Sequence, residues 1–364
     1  MRLAIAHDYL TQRGGAERVV LAMLKAFPGA PLYTSLYDPH GTFPEFRCVD
    51  VRTTPLNHVR ALRTNHRLAF PLLAPAMSLI RIDADVVLCS SSGWAHGVAT
   101  DGRKIVYCHG PARWLYQADR YEERLGKVGR AALIALHPAL RAWDTRAARS
   151  AGVYLANSRH VATALLELYG AAAEVLPPPP AIIPRGSQRP VEELEPGFFL
   201  CVSRLLPYKK VDEVAAAFAH LDAERLVVVG RGPDEARVRA VAGGNVRLLK
   251  KVEDDELRWL YANCAAVVTA AYEDFGLTPV EAAAFGKPTV ALRFGGFLDT
   301  LRENVTGLFF DRPKPDAIAQ ALLEMRARTW PADVLKQHAA RFSEERFVQR
   351  LRDVVAREAL QAAA

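Results

Sequence analysis

The chain has 364 residues, with 47 Lys and Arg side chains against 40 Asp and Glu side chains, so its formal net charge is +7. Half of the residues are apolar and 24% are charged, a composition that excludes an intrinsically disordered or fibrous protein. Since this length exceeds the usual limit for one hydrophobic core, we expect two domains.

The surplus of positive charge is confined to the first half of the chain. Residues 1–180 hold 21 basic and 14 acidic side chains, whereas residues 181–364 hold 26 of each. A basic half beside a neutral half indicates that the first half meets a polyanion or an anionic surface.

The cysteines and the apolar runs bear on the compartment. Five cysteines are scattered without a C-x-x-C pair, which argues against a zinc site and a disulfide framework and favours a reducing cytosol. The amino-terminal segment reaches His7 and Asp8 before an apolar run of signal-peptide length, so no export signal is predicted. The longest apolar stretch, residues 68–80, is too short to span a membrane and contains Pro71 and Pro75. We expect a cytoplasmic protein that is soluble or peripheral on the inner face of the membrane.

Short runs rich in Val, Ile and Leu alternate with longer amphipathic segments, a pattern typical of parallel strands covered by helices on both faces. In the first half the predicted strands are residues 2–6, 85–89, 104–108 and 152–156. In the second half they are residues 198–202, 225–229, 246–249, 265–269 and 288–292. The predicted fold class is therefore α/β.

Four consecutive prolines at residues 177–180 separate the two halves. They are stiff and unsuited to a central strand, and separate α/β patterns flank them, so we place a domain boundary between residues 180 and 181. A proline-rich surface loop within one domain is the alternative. A last amphipathic helix is predicted over residues 344–360, with these apolar residues on one side: Phe347, Leu351, Val354 and Val355.

The first candidate site follows the strand at residues 2–6, where Gly14 and Gly15 precede a predicted helix. Paired glycines let a backbone approach a phosphate closely and permit positive φ. The stretch is not a G-x-G-x-x-G, so the dinucleotide fingerprint is absent. A plain tight turn explains the two glycines equally well.

A second candidate, His109, directly follows the strand at residues 104–108. A histidine at the carboxyl end of a strand can hydrogen-bond a substrate hydroxyl. A lone histidine is nevertheless more often a structural partner.

A basic stretch lies between these two sites. Residues 51–82 contain no acidic residue but many basic ones: Arg52, His58, Arg60, Arg63, His66, Arg67 and Arg81. Together with the apolar run at residues 68–80, they suit an anionic membrane face or a lipid-diphosphate acceptor. An ordinary amphipathic helix pair is the alternative. Residues 113–149, beginning with Arg113, add further basic side chains and fit either interpretation.

In the second half, the sequence SRLLPYKKVD follows the strand at residues 198–202. Arg204 and Lys209 would project at the carboxyl end of that strand, where open α/β sheets bind ligands. The planar fork of Arg and the compact charge of Lys could together neutralise a leaving diphosphate. A solvated basic loop is the alternative.

The strongest signal is the segment from Glu273 to Glu281, a loop that leads into a helix. Thr278 could cap this helix, with Pro279 at its first position and Glu281 completing a capping box. Gly276 and the free amides at the helix start could instead offer hydrogen-bond donors to a phosphate or to sugar hydroxyls. Local physics favours neither interpretation over the other.

Two pairs of carboxylates could suggest a metal site or a hydrolase site, but we assign neither. Asp83 and Asp85 form a D-x-D sequence, but it leads directly into a strand, and no other cluster completes a hard-metal site. We therefore expect no metal cofactor. Glu273 and Glu281 do not show the shared geometry that a hydrolase needs, since one is predicted in a loop and the other in a helix cap.

Taken in order, the motifs GGAE, CHGPARWLY, SRLLPYKKVD, VVVGRGPDE and EDFGLTPVEAAAFGKPTVA resemble the family-4 glycosyltransferases of GT-B fold, over nearly the whole chain. The resemblance implies two Rossmann-like, doubly wound domains that face a central cleft. Residues 1–180 would form the acceptor side, and the helix at residues 344–360 would pack back on it. Residues 181–343 would bind the nucleotide sugar.

The resemblance also implies roles for single residues. Arg204 and Lys209 would hold the diphosphate, Glu281 would accept hydrogen bonds from the ribose, and Glu273 would position the donor sugar. His109 would contact the sugar near the reacting carbon. The other donor-binding positions would be Gly14, Gly15, Ser203, Lys251, Val252, Phe275, Gly276 and Leu277. The family often has Lys-Gly where this chain has Lys209 and Lys210, so which lysine meets the diphosphate stays open.

The implied reaction is transfer of a sugar with retention of configuration and without a metal, from a nucleotide sugar to a glycan or lipid-linked acceptor. The motif combination is similar to the branch of bacterial O-antigen and exopolysaccharide mannosyltransferases, so GDP-mannose is the expected donor. A UDP-sugar donor and a GT-B sugar-nucleotide epimerase remain alternatives. A basic nucleic-acid-binding protein is the rival outside enzymes, but the charge excess is small and no nucleic-acid module is present, so no nucleic-acid partner is expected.

Overall fold

The computed structural model describes residues 1–117 and 127–363, with side chains described at residues 1–117 and 134–361. Its internal contacts divide the chain into two units, Met1–Pro179 with Glu344–Ala364, and Pro180–Ser343. The run of four prolines ends where the second unit begins.

The described strands of the first unit form one parallel sheet in the order β3-β2-β1-β4-β5-β6-β7. Their bounds are β1 Leu3–His7, β2 Leu32–Thr34, β3 Val51–Thr53, β4 Val86–Ser91, β5 Arg103–Cys108, β6 Val153–Ala156 and β7 Ala173–Val175. Strand β4 is buried along its whole length, as expected for a central strand covered on both faces. The chain order reverses between β1 and β4.

The helices described up to the proline run are α1 Gly15–Ala26, α2 Arg60–Thr64, α3 Phe70–Ser78, α4 Arg113–Tyr116, α5 Lys127–Arg149 and α6 Arg159–Tyr169. Short 3₁₀ turns occur at residues 44–48, 55–58, 66–69 and 95–97. Helix α6 shows why such segments begin and end where they do. The Ser158 hydroxyl accepts the backbone N–H of Val161 at its start, and Gly170 ends it in the left-handed region at φ 67°.

The second unit has a parallel sheet in the order β10-β9-β8-β11-β12-β13, with the chain order reversing between β8 and β11. Its strands are β8 Phe199–Val202, β9 Leu226–Val229, β10 Val246–Leu249, β11 Ala266–Thr269, β12 Thr289–Leu292 and β13 Gly307–Phe310. Its helices are α7 Val211–Ala217, α8 Glu235–Val241, α9 Asp254–Asn263, α10 Leu277–Ala284, α11 Phe297–Thr300, α12 Pro315–Arg326 and α13 Ala332–Ala339. The 3₁₀ turns of this unit lie at residues 207–209, 218–220 and 340–342.

The last helix, α14 Glu344–Ala363, belongs to the first unit. Its apolar side packs into the core that α1 and the sheet share, through Phe347, Leu351, Val354 and Val355. A partly buried ion pair joins it to β5, with Arg103 Nε 2.9 Å from the buried Glu358 carboxylate.

All nine strands predicted from the sequence are present, with bounds that differ by at most two residues. The pattern missed four strands, namely β2, β3, β7 and β13. Three of these have only three residues, too few to show a period. The predicted α/β class with doubly wound parallel sheets is confirmed. Among the described helices, each is too short or too polar to cross a membrane.

Candidate functional site

Most of the residues predicted to bind a ligand lie in loops after the strands between which each sheet reverses its order, whereas His109 follows β5 and Lys251 and Val252 follow β10. Strand β8 pairs with β11 and β1 pairs with β4, both in parallel, so the loops that follow each pair leave the same edge side by side. In open α/β sheets this reversal is where ligands bind. In the second unit it brings residues 203–210 next to residues 272–276, and in the first it brings residues 8–15 next to the loop after β4.

The loop after β8 is shaped by two glycines that sequence reasoning did not single out. Backbone hydrogen bonds tie Ser203 N to Val229 O at 3.0 Å and Leu205 N to Arg231 O at 2.9 Å. A Cβ at Gly230 would come within 1.8 Å of the Ser203 carbonyl oxygen, and one at Gly232 within 2.0 Å of the Leu205 carbonyl oxygen. The motif VVVGRGPDE therefore supplies the close approach that fixes the loop carrying Ser203 and its neighbour.

Arg204 and Lys209 share this loop but differ in surroundings. Arg204 is exposed, and among the described residues none forms an ion pair with its guanidinium. Lys209 is buried, with only 7% of its side chain exposed, and its Nζ pairs with the carboxylate of Glu273. It also lies 4.9 Å from the centroid of the Tyr208 ring. Lys210 adopts a left-handed conformation at φ 52° immediately before α7.

The Lys209–Glu273 ion pair joins the two sequence motifs directly. Beside it, the Tyr272 N–H donates to the Tyr208 carbonyl at 3.0 Å, so backbone and side chains hold the same two loops together. A buried ammonium is costly unless a carboxylate pairs with it, so this contact accounts for the burial of Lys209.

Of the two interpretations of the start of α10, the capping box does not occur in the structure. The helix begins at Leu277 rather than Pro279, and Gly276 occupies the cap at φ 83° with no side-chain cap. Glycine is required there, because a Cβ at Gly276 would lie 2.3 Å from the Phe297 ring, and positive φ is strained for other residues. Phe275, just before it, is buried.

Glu281 instead makes a buried clamp inside the second unit. Its Oε1 accepts the backbone N–H groups of Ala181 at 3.1 Å and Ile182 at 3.2 Å, and its Oε2 accepts the Tyr261 hydroxyl at 2.7 Å. Burial and the nearby carboxylate raise the pKa of Tyr261, which therefore stays protonated as a donor. The carboxylate thus anchors the segment that follows the proline run to α9 and α10.

Lys251 and Val252 lie in the loop after β10, two strands away from β8 in the sheet. The Lys251 side chain is largely exposed, with its Nζ 3.7 Å from the Glu253 carboxylate. Val252 is partly buried.

In the first unit, β1 ends in two buried ionisable residues. The Asp8 carboxylate accepts the backbone N–H groups of Ser92 at 2.7 Å, Trp94 at 3.2 Å and Ala95 at 2.6 Å. Burial raises the pKa of Asp8, an effect that the neighbouring His7 and these N–H groups oppose. Asp8 thereby holds the loop after β4 against the end of β1.

His7, Ser90 and His109 form a chain of side chains across β1, β4 and β5. His7 Nδ1 lies 3.0 Å from Ser90 Oγ, and Ser90 Oγ lies 2.8 Å from His109 Nε2. On its other side, His7 Nε2 is 3.9 Å from the buried Glu17 carboxylate. Burial, reinforced by the charge of His7, lowers the pKa of His109 to about 3, so its ring is neutral near pH 7.

Gly14 and Gly15 lie at the start of α1, as the sequence predicts, but neither adopts the positive φ that glycine permits. Gly14 is extended at φ −131° and Gly15 is the first helical residue. A Cβ at Gly14 would lie 2.6 Å from Glu17 Oε2, so Gly14 leaves room for that carboxylate.

The basic stretch at residues 51–82 has an exposed face that is both cationic and apolar. Arg60 and Arg67 are exposed and Arg63 is partly buried, while the exposed apolar side chains are Val59, Leu68, Leu72 and Leu79. The opposite face is buried through Leu73, Ala74 and Met77. This pattern is that of an amphipathic surface segment.

A ring contact connects this stretch to the loop after β1, and further basic side chains lie on α5. His66 stacks on Tyr9 with ring centroids 4.1 Å apart, which ties the stretch to the loop after β1. On α5 a shallow groove of about 680 Å³ is lined by further arginines, Arg141, Arg146 and Arg149. Arg113 begins α4. Of the basic stretch predicted over residues 113–149, residues 118–126 lie outside the described part of the chain.

The D-x-D sequence lies in a turn before β4, where the carboxylates of Asp83 and Asp85 both pair with Arg2. Within residues 1–117 and 127–363, no group of three or more His, Cys, Asp or Glu side chains is arranged to hold a metal ion.

Sequence reasoning missed Glu17, Ser90 and Tyr261. Glu17 stands at the third position of α1, where an acidic residue reads as an ordinary favourable charge near a helix start. Ser90 and Tyr261 lie within a strand and a helix and carry no motif. Their roles depend on neighbours across the sheet, which linear spacing does not reveal.

Two family models match the chain. One described as "Glycosyltransferase Family 4" matches residues 13–186, and one described as "Glycosyl transferases group 1" matches residues 185–342. Together they cover both units.

Relatives of known description are similar over parts of the chain. A D-inositol 3-phosphate glycosyltransferase of Corynebacterium urealyticum is 38% identical over 111 residues, 29% of this chain and 26% of that protein. A GDP-mannose-dependent alpha-(1-6)-phosphatidylinositol monomannoside mannosyltransferase of Mycobacterium tuberculosis is 30% identical over 143 residues, 35% of this chain and 37% of that protein. The matches to these two relatives thus span about a quarter to two-fifths of their own length.

Solved structures are similar over the whole chain. Alr3699/HepE of Anabaena, in complex with UDP and glucose, has a TM-score of 0.69 at 17% identity and covers 98% of this chain and 99% of its own. Sucrose-phosphate synthase of Thermosynechococcus elongatus has a TM-score of 0.70 at 18% identity, with 100% of both chains covered. At these identities the likeness shows the fold, and with the family models it confirms the predicted family and its GT-B fold class.

The clamp on Glu281 predicts a stability effect that can be measured. Tyr261→Phe removes the hydroxyl that satisfies Glu281 Oε2, and we expect it to lower the free energy of unfolding by about 1–3 kcal/mol, the cost of a buried acceptor left without its donor. Urea denaturation measures this. Tyr33→Phe is the matched control, because its hydroxyl only accepts an exposed hydrogen bond from Arg52, and a change below about 0.5 kcal/mol is expected there. Equal losses in the two variants would contradict the clamp.

Proposed function

Because the chain belongs to the family-4 glycosyltransferases, we propose that it transfers mannose from GDP-mannose, with retention of configuration, to a glycan or lipid-linked acceptor in cell-surface polysaccharide or glycolipid synthesis. The observation that carries the proposal is the ion pair between Lys209 and Glu273 at the reversal of the second sheet. It joins the R-x4-K loop to the E-x7-E loop at the position where such sheets bind ligands.

In this proposal the charge that develops on the leaving diphosphate is neutralised by side chains. Arg204 is exposed and free to turn toward a ligand, whereas Lys209 is held at a fixed position by its carboxylate partner. Cations placed beside the diphosphate favour the transition state over the ground state, because the diphosphate gains charge as the bond to the sugar breaks. The side chains would then do the work of a metal, and we expect no cofactor. Lys209 is favoured over Lys210, whose backbone is committed to the left-handed cap of α7.

The retaining reaction that we propose needs no protein nucleophile. The acceptor oxygen attacks the anomeric carbon from the face that the diphosphate leaves, the carbon–oxygen bond to phosphate breaks, and a phosphate oxygen takes the acceptor's proton. Glu273, oriented by Lys209, and the backbone of residues 275–277 would position the sugar. Glu281 would meet the ribose, with Ser203 and the loop at residues 251–252 beside the nucleotide.

Removal of the exposed cation should slow the transfer. We expect Arg204→Ala to lower the rate of sugar transfer by about 10²-fold or more, the scale of losing one electrostatic donor in a catalytic site. The rate is measured as glycosylation of the acceptor. The same assay with and without a chelator tests whether the transfer depends on a metal ion. Lys210→Gly is the matched control, since it removes a charge from the same loop at a backbone angle that glycine favours. A wild-type rate for Arg204→Ala would refute the assignment.

The donor is proposed on two supports. The Mycobacterium tuberculosis relative is described as GDP-mannose-dependent, and the motif combination is similar to mannosyltransferases. The Anabaena structure holds UDP, so a UDP-sugar is the rival donor.

A thermal-shift panel of nucleotides and nucleotide sugars discriminates the donors, because a ligand that binds only the folded state raises Tm. We expect GDP and GDP-mannose to raise Tm at concentrations where UDP and UDP-glucose do not. Equal shifts, or a larger shift with UDP, would overturn GDP-mannose. Conversion of the sugar nucleotide without any acceptor would favour the epimerase alternative.

The acceptor side is proposed to lie on an anionic membrane surface. Arg60, Arg63 and Arg67 share their stretch of sequence with exposed apolar side chains, the combination by which surface helices bind anionic lipid. Arg113, 46 residues after Arg67, is assigned to the same side by the sequence alone. All five cysteines lie in the described ranges and none forms a disulfide bond there, which suits the reducing cytoplasmic side.

Vesicle binding tests this surface. Arg60→Ala combined with Arg67→Ala should weaken binding to phosphatidylserine-rich vesicles by about tenfold or more at low salt, since each arginine near an anionic surface contributes about 1 kcal/mol. Co-sedimentation measures the binding, with phosphatidylcholine vesicles for comparison. Arg302→Ala with Arg341→Ala removes two exposed arginines from the second unit and serves as control. Equal weakening by both pairs would contradict a specific membrane face.

A further inference from the structure

The side chains of His7, Ser90 and His109 form a hydrogen-bond relay, and the acceptor atoms in this relay determine which group donates to which. His7 Nδ1 lies 3.1 Å from the Ser90 carbonyl oxygen as well as 3.0 Å from Ser90 Oγ. A carbonyl oxygen only accepts, so His7 Nδ1 carries a proton and donates it toward both oxygens of Ser90.

Ser90 Oγ then has one proton of its own to place. It accepts from His7, and the other partner within reach is His109 Nε2 at 2.8 Å. If His109 Nε2 carried the proton, Ser90 Oγ would receive two donors, and the described residues offer no acceptor for its own hydrogen. The arrangement that satisfies every group has Ser90 Oγ–H donating to an unprotonated His109 Nε2.

The buried Glu17 fixes the donor end of this chain. Burial alone would lower the pKa of His7, but the carboxylates of Glu17 and Asp8 outweigh it and raise that pKa, which favours the ring with both nitrogens protonated. Glu17 Oε1 in turn accepts the Gln12 side-chain amide at 3.1 Å. Two uncharged side chains also contact His109. The Tyr107 ring in β5 meets the His109 ring in an edge arrangement with centroids 5.1 Å apart, and the Asn157 amide, just after β6, donates to the His109 carbonyl at 2.8 Å.

We propose that Ser90, oriented by the His7–Glu17 pair, is a positioning residue that holds His109 as the neutral tautomer with its proton on Nδ1. His109 is partly exposed, and no described residue hydrogen-bonds its Nδ1. The relay therefore leaves one N–H donor for an acceptor oxygen on a sugar. This role for the N–H group rests on the proposed function and on the contact with the donor sugar that the family resemblance implies for His109.

The tautomer can be read without any substrate. In protein labelled with ¹⁵N-histidine, the Nδ1 and Nε2 chemical shifts distinguish the two neutral tautomers and the cation, and His109→Asn assigns the signal. We expect the Nδ1–H tautomer in the wild type near pH 7. Ser90→Ala should give a mixture that includes the Nε2–H form, and Ser90→Thr, which keeps the hydroxyl, should restore the single tautomer.

Ser91→Ala is the matched control. Ser91 is also buried in β4, but its hydroxyl contacts the other buried histidine, His96, at 2.9 Å. The control should leave the His109 tautomer unchanged. An Nε2–H tautomer or a cationic His109 in the wild type would overturn the proposal, as would equal changes in the Ser90 and Ser91 variants.

A second variant keeps the relay testable if Ser90→Ala does not fold. His7→Asn retains an N–H donor near the Nδ1 position but removes the charge, so the tautomer should persist while the pKa of His109 rises from its lowered value. Loss of the tautomer in this variant would count against the donor direction assigned to His7.

Transfer rates connect the relay to catalysis. Ser90→Ala should lower kcat/KM by about three- to tenfold, the scale of one hydrogen bond, with Ser90→Thr recovering most of the loss. An unchanged kcat/KM in a Ser90→Ala protein whose tautomer is mixed would refute the positioning role. A protein that shows the Nδ1–H tautomer but transfers no sugar from any nucleotide sugar would refute the proposed function and leave the relay standing.

Discussion

Parallel pairing is the constraint on which the arrangement of this protein depends. Every described strand pairing in both sheets is parallel, so each strand is followed by a crossover and all carboxyl ends lie at one edge of their sheet. Loops that are far apart in sequence therefore begin side by side. The contact of Lys209 with Glu273, 64 residues later, and that of His7 with Ser90, 83 residues later, both follow from this geometry.

The second theme is the burial of charge at those edges. Lys209, Glu281, Asp8 and Glu17 are all largely removed from water, a state that costs free energy unless partners are supplied. The chain supplies a carboxylate to Lys209, three donors to Glu281 and three backbone N–H groups to Asp8. Such sites are rigid because moving one partner leaves the other buried without a hydrogen bond or an opposite charge. Rigidity of this kind is what positioned electrostatic groups need.

Much of the fold could be predicted from the sequence because the central strands are long apolar runs, and the site loops follow them directly. The three-residue strands β2, β3 and β7 show no such run. The start of α10 was misplaced because Thr278, Pro279 and Glu281 satisfy the rules for a cap, whereas the structure lets Gly276 end the loop against Phe297. Local rules do not register a ring that arrives from 21 residues downstream, nor the backbone N–H groups that Glu281 meets 100 residues upstream.

The clamp on Glu281 has a thermodynamic consequence. One carboxylate serves both as the anchor for residues 181–182, the entry of the chain into the second unit, and as the group that the family resemblance assigns to the ribose. Two events that draw on the same oxygen atoms are linked, and linkage is reciprocal. If a bound ribose changes the equilibrium constant for anchoring residues 181–182 by some factor, then anchoring of these residues changes the affinity for the nucleotide by the same factor. If Glu281 meets the ribose as proposed, the few residues after the proline run take part in the binding equilibrium through that carboxylate.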